Sequence, residues 1–185
     1  MVKVREAVST DCLKSVYEDW NRERSLRHIR LLYHPDPFLK KLSGSFKRMQ
    51  ESCSDVINFY TLRRQEKKPI PELIFSSLLH LLSYLEERGD SIFLLGGQVQ
   101  QCETVYINCK HTFPRLKILG RHPSVNSENQ NKPVLAALQK LCPSLLFLGS
   151  NMHDGDAWIY RNRAQLPASM CIWLPSCFLR MTRSG

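Results

Sequence analysis

The 185-residue sequence lacks most of the signatures that would fix a function at once. No pair among its seven cysteines (12, 53, 102, 109, 142, 171 and 177) is spaced C-x-x-C, so a zinc ribbon or thioredoxin-like site has no support. The longest apolar runs, "LLHLLSYL" and "SLLFLG", fall far short of the roughly 20 residues that span a bilayer. The opening "MVKVREAVSTDCLKSVYEDW" carries acids and has no apolar centre, which does not fit a secretory signal. A cytoplasmic protein with reduced, partly buried thiols is therefore expected. There is no G-x-G-x-x-G, no G-x-x-x-x-G-K-[ST] and no G-x-S-x-G. Dinucleotide, P-loop and serine-hydrolase readings are accordingly poor. Low-complexity runs and internal repeats are absent too.

What is present is an ordinary globular composition, 43% hydrophobic and 23% charged, in a length suited to one sizeable core. The net charge is +9, and residues 1–68 hold 15 basic against 9 acidic side chains. Such an excess suits an anionic partner: nucleic acid, a membrane surface or a phosphorylated substrate. The clusters "LKK", "FKRM" and "RRQEKK" are short and lack the interleaved aromatics of a single-strand binder, so nucleic acid is not expected. A merely solvated basic face is the plain alternative.

Hydrophobic patterning is clearest after residue 90. "SIFLLGG" (91–97), "LKILG" (116–120), "SLLFLG" and "SMCIWL" read as short buried strands. Between them lie helical stretches "VQQCETVYINCKHTF", "PVLAALQKLC" and "AWIYRNRAQL", the second with proline placed at its first turn. Cys102 and Cys109 would share one helix face. Upstream, "RHIRLLYHP" reads as a strand stopped by Pro35, "DPFLKKLSGSFKRMQES" as helical, and "DVINFYTLRRQ" as starting in a strand. "PIPELIFSSLLHLLSYLEERGD" is a helix ended by Gly89. Alternating strands and helices predict a single α/β domain, Rossmann-like, with a mostly parallel sheet flanked by helices. Ligands of such sheets sit beyond the strand carboxyl ends, here expected at Gly96–Gly97, Gly120 and Gly149.

Two stretches could carry chemistry. In "SLLFLGSNMHDGDAW" (144–158), His153, Asp154 and Asp156 are possible metal ligands by type, but their spacing matches no metal loop. A polar helix cap explains them more simply. In "LLGGQVQQ", Gly96 and Gly97 would let backbone N–H groups approach an anion at a helix N-terminus; a tight turn without a ligand is the alternative. A Cys–His nucleophilic pair has no local support.

Five stretches in order resemble one family. They are "KKPIPE" (67–72) against G-K-P-L-P-E, "IFLLGG" (92–97) against F-L-L-G-G, and "PRLKILG" (114–120) against P-x-L-K-I-x-G. "PSLLFLGSNMHDGDAWI" (143–159) stands against P-D-[IL]-L-F-V-G-L-G-x-P-K-Q-E-x-W-I, and "RNRAQLP" (161–167) against x-N-R-x-x-L-P. The family is WecG/TagA/CpsF, bacterial glycosyltransferases that move an N-acetylhexosamine from a UDP-sugar to a polyprenyl-diphosphate-linked acceptor. The likeness runs over residues 28–179, with an N-terminal helical segment (1–27) before it and a short basic tail (180–185) after it.

The resemblance implies a UDP-sugar donor, no cofactor or metal, and an acceptor at the inner face of the membrane, with room for a homo-oligomer. It places Asp55 at the aspartate of D-G-x-G-V, the catalytic base. Gly96, Gly97, Gln98, Gly149 and Asp156 fall at positions near the nucleotide-sugar. Departures are numerous: Val56 and Asn58 replace glycines, and Leu32 and His34 replace threonine and asparagine. Leu73 and Leu78 replace arginine and aspartate, and Trp173, Pro175 and Leu179 replace two glycines and an aspartate. A leucine in place of an arginine removes a bidentate phosphate donor. The family's basic C-terminal appendage has no counterpart before Gly185. The alternative implied by these losses is a catalytically inactive relative acting as a binding or partner subunit.

Overall fold

The computed structural model describes residues 4–7, 12–23, 27–33, 57–62, 70–152 and 155–183, with side chains described at 13–22 and, apart from 153–154, from 74 to 183. Among these residues the order is β1 (Val4–Ala7), α1 (Cys12–Glu23), β2 (Arg27–Tyr33), β3 (Ile57–Leu62), α2 (Ile70–Arg88) and β4 (Ser91–Leu95). There follow α3 (Val99–Thr112), β5 (Lys117–His122), α4 (Glu128–Leu141), β6 (Leu145–Leu148), α5 (Gly155–Asn162), β7 (Met170–Trp173) and α6 (Pro175–Met181). The strands form one seven-stranded sheet in the order β1-β3-β2-β7-β6-β4-β5. Every pairing is parallel. The Rossmann-like α/β expectation holds.

Parallel strands need crossover helices, and these cover both sheet faces. The chain steps outward from β4 to β5 and then back past β4 to β6, so right-handed crossovers put α3 and α4 on opposite faces. The period of two in the strands matches this layering. Ile92, Leu94, Leu145, Phe147, Met170 and Ile172 face the helices α1, α2, α3 and α6. Phe93, Leu95, Leu146, Leu148 and Cys171 face α4 and α5. All four β6 residues are buried, as a central strand of a covered sheet requires. Strand β5 is the opposite case: it is an edge, pairs only with β4, and its burial alternates between half-exposed and exposed.

Several boundaries differ from expectation. The segment before residue 28 holds the strand β1 as well as α1, and β1 pairs with β3. Helix α4 begins at Glu128, so Pro133 sits inside it rather than in its first turn. Ser127 starts it, its Oγ accepting from the Gln130 N–H at 3.4 Å. "S-E-N-Q" is a capping signature that outranks the proline as a start signal. Gly120 is not a strand end. It lies within β5, and a Cβ there would be 2.5 Å from Phe93 Cε2, next to a register shift at Ile92/Phe93. Helix α6 was not anticipated, although Pro175 at its first position is a recognised start. It runs to Met181 and takes up the beginning of the expected tail. The expected helix at 36–52 lies outside the described residues.

Two retained motif residues prove to be joints. Trp158 Nε1 donates to Asn131 Oδ1 at 2.8 Å, Asn131 Nδ2 donates to Asn162 Oδ1 at 2.9 Å, and Asn162 Nδ2 donates to the Trp158 carbonyl at 2.7 Å. This loop of bonds locks α4 to α5, with Trp158 and Asn162 buried. Leu78, at the family's aspartate position, is 0% exposed among α1, α2 and the sheet. A carboxylate there would lose its hydration without a partner.

Truncating the sheet core should be costly and truncating its edge should not. Leu94→Ala should lose about 2–5 kcal/mol of unfolding free energy. Leu119→Ala, on the exposed edge strand, should stay within about 0.5 kcal/mol of wild type. Urea denaturation of both variants measures the difference.

Candidate functional site: the glycine corners of β4 and β6

Neighbouring strands β4 and β6 send their following chain in opposite directions, β4 toward β5 and β6 toward β7. A crevice opens at such a switch point, beyond the carboxyl ends. Gly96–Gly97 and Gly149 meet there. Gly96 has φ 139°, a left-handed value that a side chain disfavours. A Cβ on it would lie 2.8 Å from the Cα and N of Gly149. A Cβ on Gly149 would collide with the Phe178 ring. The two corners are close-packed backbone with a ring laid against them, and Phe178 in turn stacks edge-on to Phe147 at 5.6 Å.

The hydrogen bonds of these corners are engaged within the protein. Gly96 N–H donates to the His122 carbonyl at 2.9 Å, Gly97 N–H to the Ser150 carbonyl at 2.6 Å, and Gly149 N–H to the Leu95 carbonyl at 2.8 Å. Ser124 adds a clasp: its N–H and Oγ donate to the Gly97 carbonyl at 2.9 and 3.0 Å, and its Oγ lies 3.0 Å from the Ser150 carbonyl. The amides of Gly96, Gly97 and Gly149 therefore hold the β4, β5 and β6 corners together. The exposed Gln98 opens α3, its N–H donating to Gln101 Oε1 at 2.9 Å. That bond lies at the surface and is the one a polar ligand could replace most readily.

Asp156 is buried in the first turn of α5, where a carboxylate suits the positive end of the helix dipole. Asp55, His153 and Asp154 lie outside the described residues. Gly96, Gly97, Gln98 and Gly149 are thus brought together, with Asp156 on the helix that follows.

Three participants were given no role of their own in the sequence, although Ser150 lies in the stretch 144–158 and Trp173 stands where the family has glycine. Ser124 follows "RHP" in what looked like a plain polar loop. Ser150 is 4% exposed, and its Oγ has no hydrogen-bond partner among the described residues. An unsatisfied buried hydroxyl costs about 1–3 kcal/mol. Trp173 donates its Nε1–H to the Gly149 carbonyl at 3.1 Å, so the indole is tied to the corner itself.

No group of three or more His, Cys, Asp or Glu among the described residues is arranged to hold a metal ion. The described cysteines are free thiols, Cys102, Cys109, Cys171 and Cys177 buried and Cys142 exposed. Burial pushes the Cys102 thiol up to about 11, outweighing nearby Arg121, and Cys109 up to about 12. Burial also raises Cys177 to about 11 and Cys171 further still. None is poised as a nucleophile.

Two measurements follow. Gly96→Ala should destabilise the fold by more than about 1 kcal/mol, the ordinary cost of a strained backbone, because its Cβ meets backbone that cannot yield. Native thiol labelling near pH ~8 should modify Cys142 quickly while Cys102, Cys109, Cys171 and Cys177 wait for unfolding. The raised thiol values also carry a sign. Folded thiols keep protons that unfolded ones lose above about 9, so this contribution is intact below that pH and falls away as pH climbs through about 11.

Comparison with known sequences bears on the same region. No curated protein matches the chain. The model of the "Glycosyl transferase WecG/TagA/CpsF family" matches residues 57–182, more than half of the 185 residues. The match covers both glycine corners, Gln98, Asp156 and the α4–α5 joint, and begins two residues beyond Asp55. Membership suggests glycosyl transfer in cell-surface polysaccharide synthesis, with a sugar donor and an acceptor as substrates. Among the described residues no helix is long and apolar enough to cross a membrane. By this match, and by the sheet and corners that carry it, the chain belongs to the WecG/TagA/CpsF glycosyl transferase family.

Proposed function

We propose that the chain transfers an N-acetylhexosamine from a UDP-sugar to a polyprenyl-diphosphate-linked acceptor at the inner face of the membrane. The observation that carries this reading is the meeting of Gly96–Gly97 with Gly149 at the switch point, within the span of the family match. The donor diphosphate would lie along Gly96, Gly97, Gln98 and Gly149, with Asp156 on the adjoining helix. Asp55 would deprotonate the acceptor hydroxyl as it attacks the anomeric carbon, a role that rests on the resemblance alone. The transferase unit would span residues 28–179. The basic excess of residues 1–68 would draw the chain to anionic lipid.

A second reading is supported by particular side chains. The corner amides are engaged, Leu78 is buried where the family pattern has aspartate, and rings lie against Gly149. These favour an inactive relative serving as a binding or partner subunit.

Donor binding separates the two. A ligand that binds only the folded form raises its stability by RT ln(1 + [L]/Kd), about 1.4 kcal/mol at tenfold excess over Kd. UDP or UDP-N-acetylhexosamine at millimolar levels should therefore raise Tm by a few degrees. A flat response would remove the transferase reading. With binding established, Asp55→Asn should lower turnover by about 10²–10⁴-fold while leaving the UDP response in place; unchanged turnover would strip Asp55 of the base role.

A further inference from the structure

The fork between the β4 and β6 corners encloses a polar atom with no hydrogen-bond partner among the described residues, the Oγ of Ser150. The Ser150 carbonyl is already engaged, taking the Gly97 N–H, with the Ser124 Oγ 3.0 Å away. Serine here departs from the family pattern quoted above, which has leucine at this place. An apolar side chain would bring no unmet hydrogen bond. A buried hydroxyl without a partner is destabilising and calls for a state of the molecule in which it has one. The next residue, Asn151, has φ 60°, a strained left-handed value of the kind that collects at ligand clamps.

Trp173 is held at the residue before this hydroxyl. Its Nε1–H is bonded to the Gly149 carbonyl, whose carbon carries the Ser150 amide. Its ring lies on Gly155 at the start of α5, where a Cβ would sit 2.5 Å from indole Cδ1 and Cγ. The family pattern has glutamine at 155 and glycine at 173, so bulk has moved from one side of this contact to the other. Phe178 lies against the glycines themselves, its Cε1 standing 2.9 Å from where a Gly97 Cβ would be. Phe178 is 0% exposed, whereas Trp173 is only partly buried. The indole is the ring that can swing out with the smaller loss of buried surface.

We propose that the Ser150 hydroxyl is a hydrogen-bond donor to a diphosphate oxygen of the bound sugar nucleotide, and that Trp173 is the gate above it. This rests on the donor lying at the glycine corners, as set out under Proposed function. Opening breaks a neutral indole–carbonyl bond. Binding replaces it with a hydroxyl–phosphate bond to a charged acceptor, the stronger kind.

Calorimetric titration of UDP into the full chain tests both parts. Trp173→Gly should bind UDP at least tenfold more tightly than wild type, and Trp173→Phe, which keeps a ring but loses the indole N–H, should fall between them. Ser150→Ala should remove most of the gain in the Trp173→Gly background, and in the ligand-free wild type it should raise Tm. Equal, measurable affinity in wild type and both Trp173 variants overturns the gate while the donor reading stands. No UDP binding by any variant overturns both. A Ser150→Ala change that leaves the Trp173→Gly affinity intact removes Ser150 from the site. Should Trp173→Gly fail to fold, Trp173→Phe decides: a gain in affinity supports the gate and no gain overturns it.

Discussion

The contact between Gly96 and Gly149 is the constraint on which the carboxyl edge of this sheet depends. Two chain segments leave adjacent strands in opposite directions and must pass within van der Waals contact of each other's backbone. A side chain at Gly96 would force them apart, and one at Gly149 would strike the Phe178 ring. The rest of the edge is arranged around that approach. Ser124 clasps both segments, Phe178 fills the space left by the missing side chains, and Trp173 ties the Gly149 carbonyl to the end of β7. A corner so short of internal freedom holds its geometry without help from a ligand. Preorganisation of that kind is what transfer chemistry requires of a scaffold.

Fold and chemistry have been kept unequally. The layers follow the strand pattern faithfully, one set of side chains to each face, and the α4–α5 joint retains its tryptophan and asparagine. Of the charged positions of the family pattern, the one at Leu78 now holds a fully buried side chain, while that at Leu179 holds an exposed one. At Leu78 the apolar side chain is buried with α1 and the sheet, where an unpartnered carboxylate would be costly.

The second half of the fold could be read in the sequence because its strands are short, apolar and bounded by glycine, and its helices begin and end on recognisable residues. "SIFLLGG" and "SLLFLG" led directly to the two corners that meet. Gly120 misled because a glycine after an apolar run looks like a strand end. In space it lies under the Phe93 ring, a contact between strands that sequence spacing does not encode. Pro133 misled in the same way, by outweighing the quieter Ser127 cap. The roles of Ser124, Ser150 and Trp173 were not readable for a deeper reason. Their roles come from residues tens of positions away, and nothing in the local pattern marks a serine whose hydroxyl will be enclosed.

The ring of bonds through Asn131, Trp158 and Asn162 bears on how kinship is recognised in this chain. Each member satisfies a neighbour's amide or indole, so none can change alone without stranding a buried donor or acceptor. Such a triad resists drift whether or not sugar is transferred. Ancestry recorded in "AWIYRNR" is thus the memory of a mechanical hinge pin, and it would outlast the loss of every reaction the parent enzyme performed.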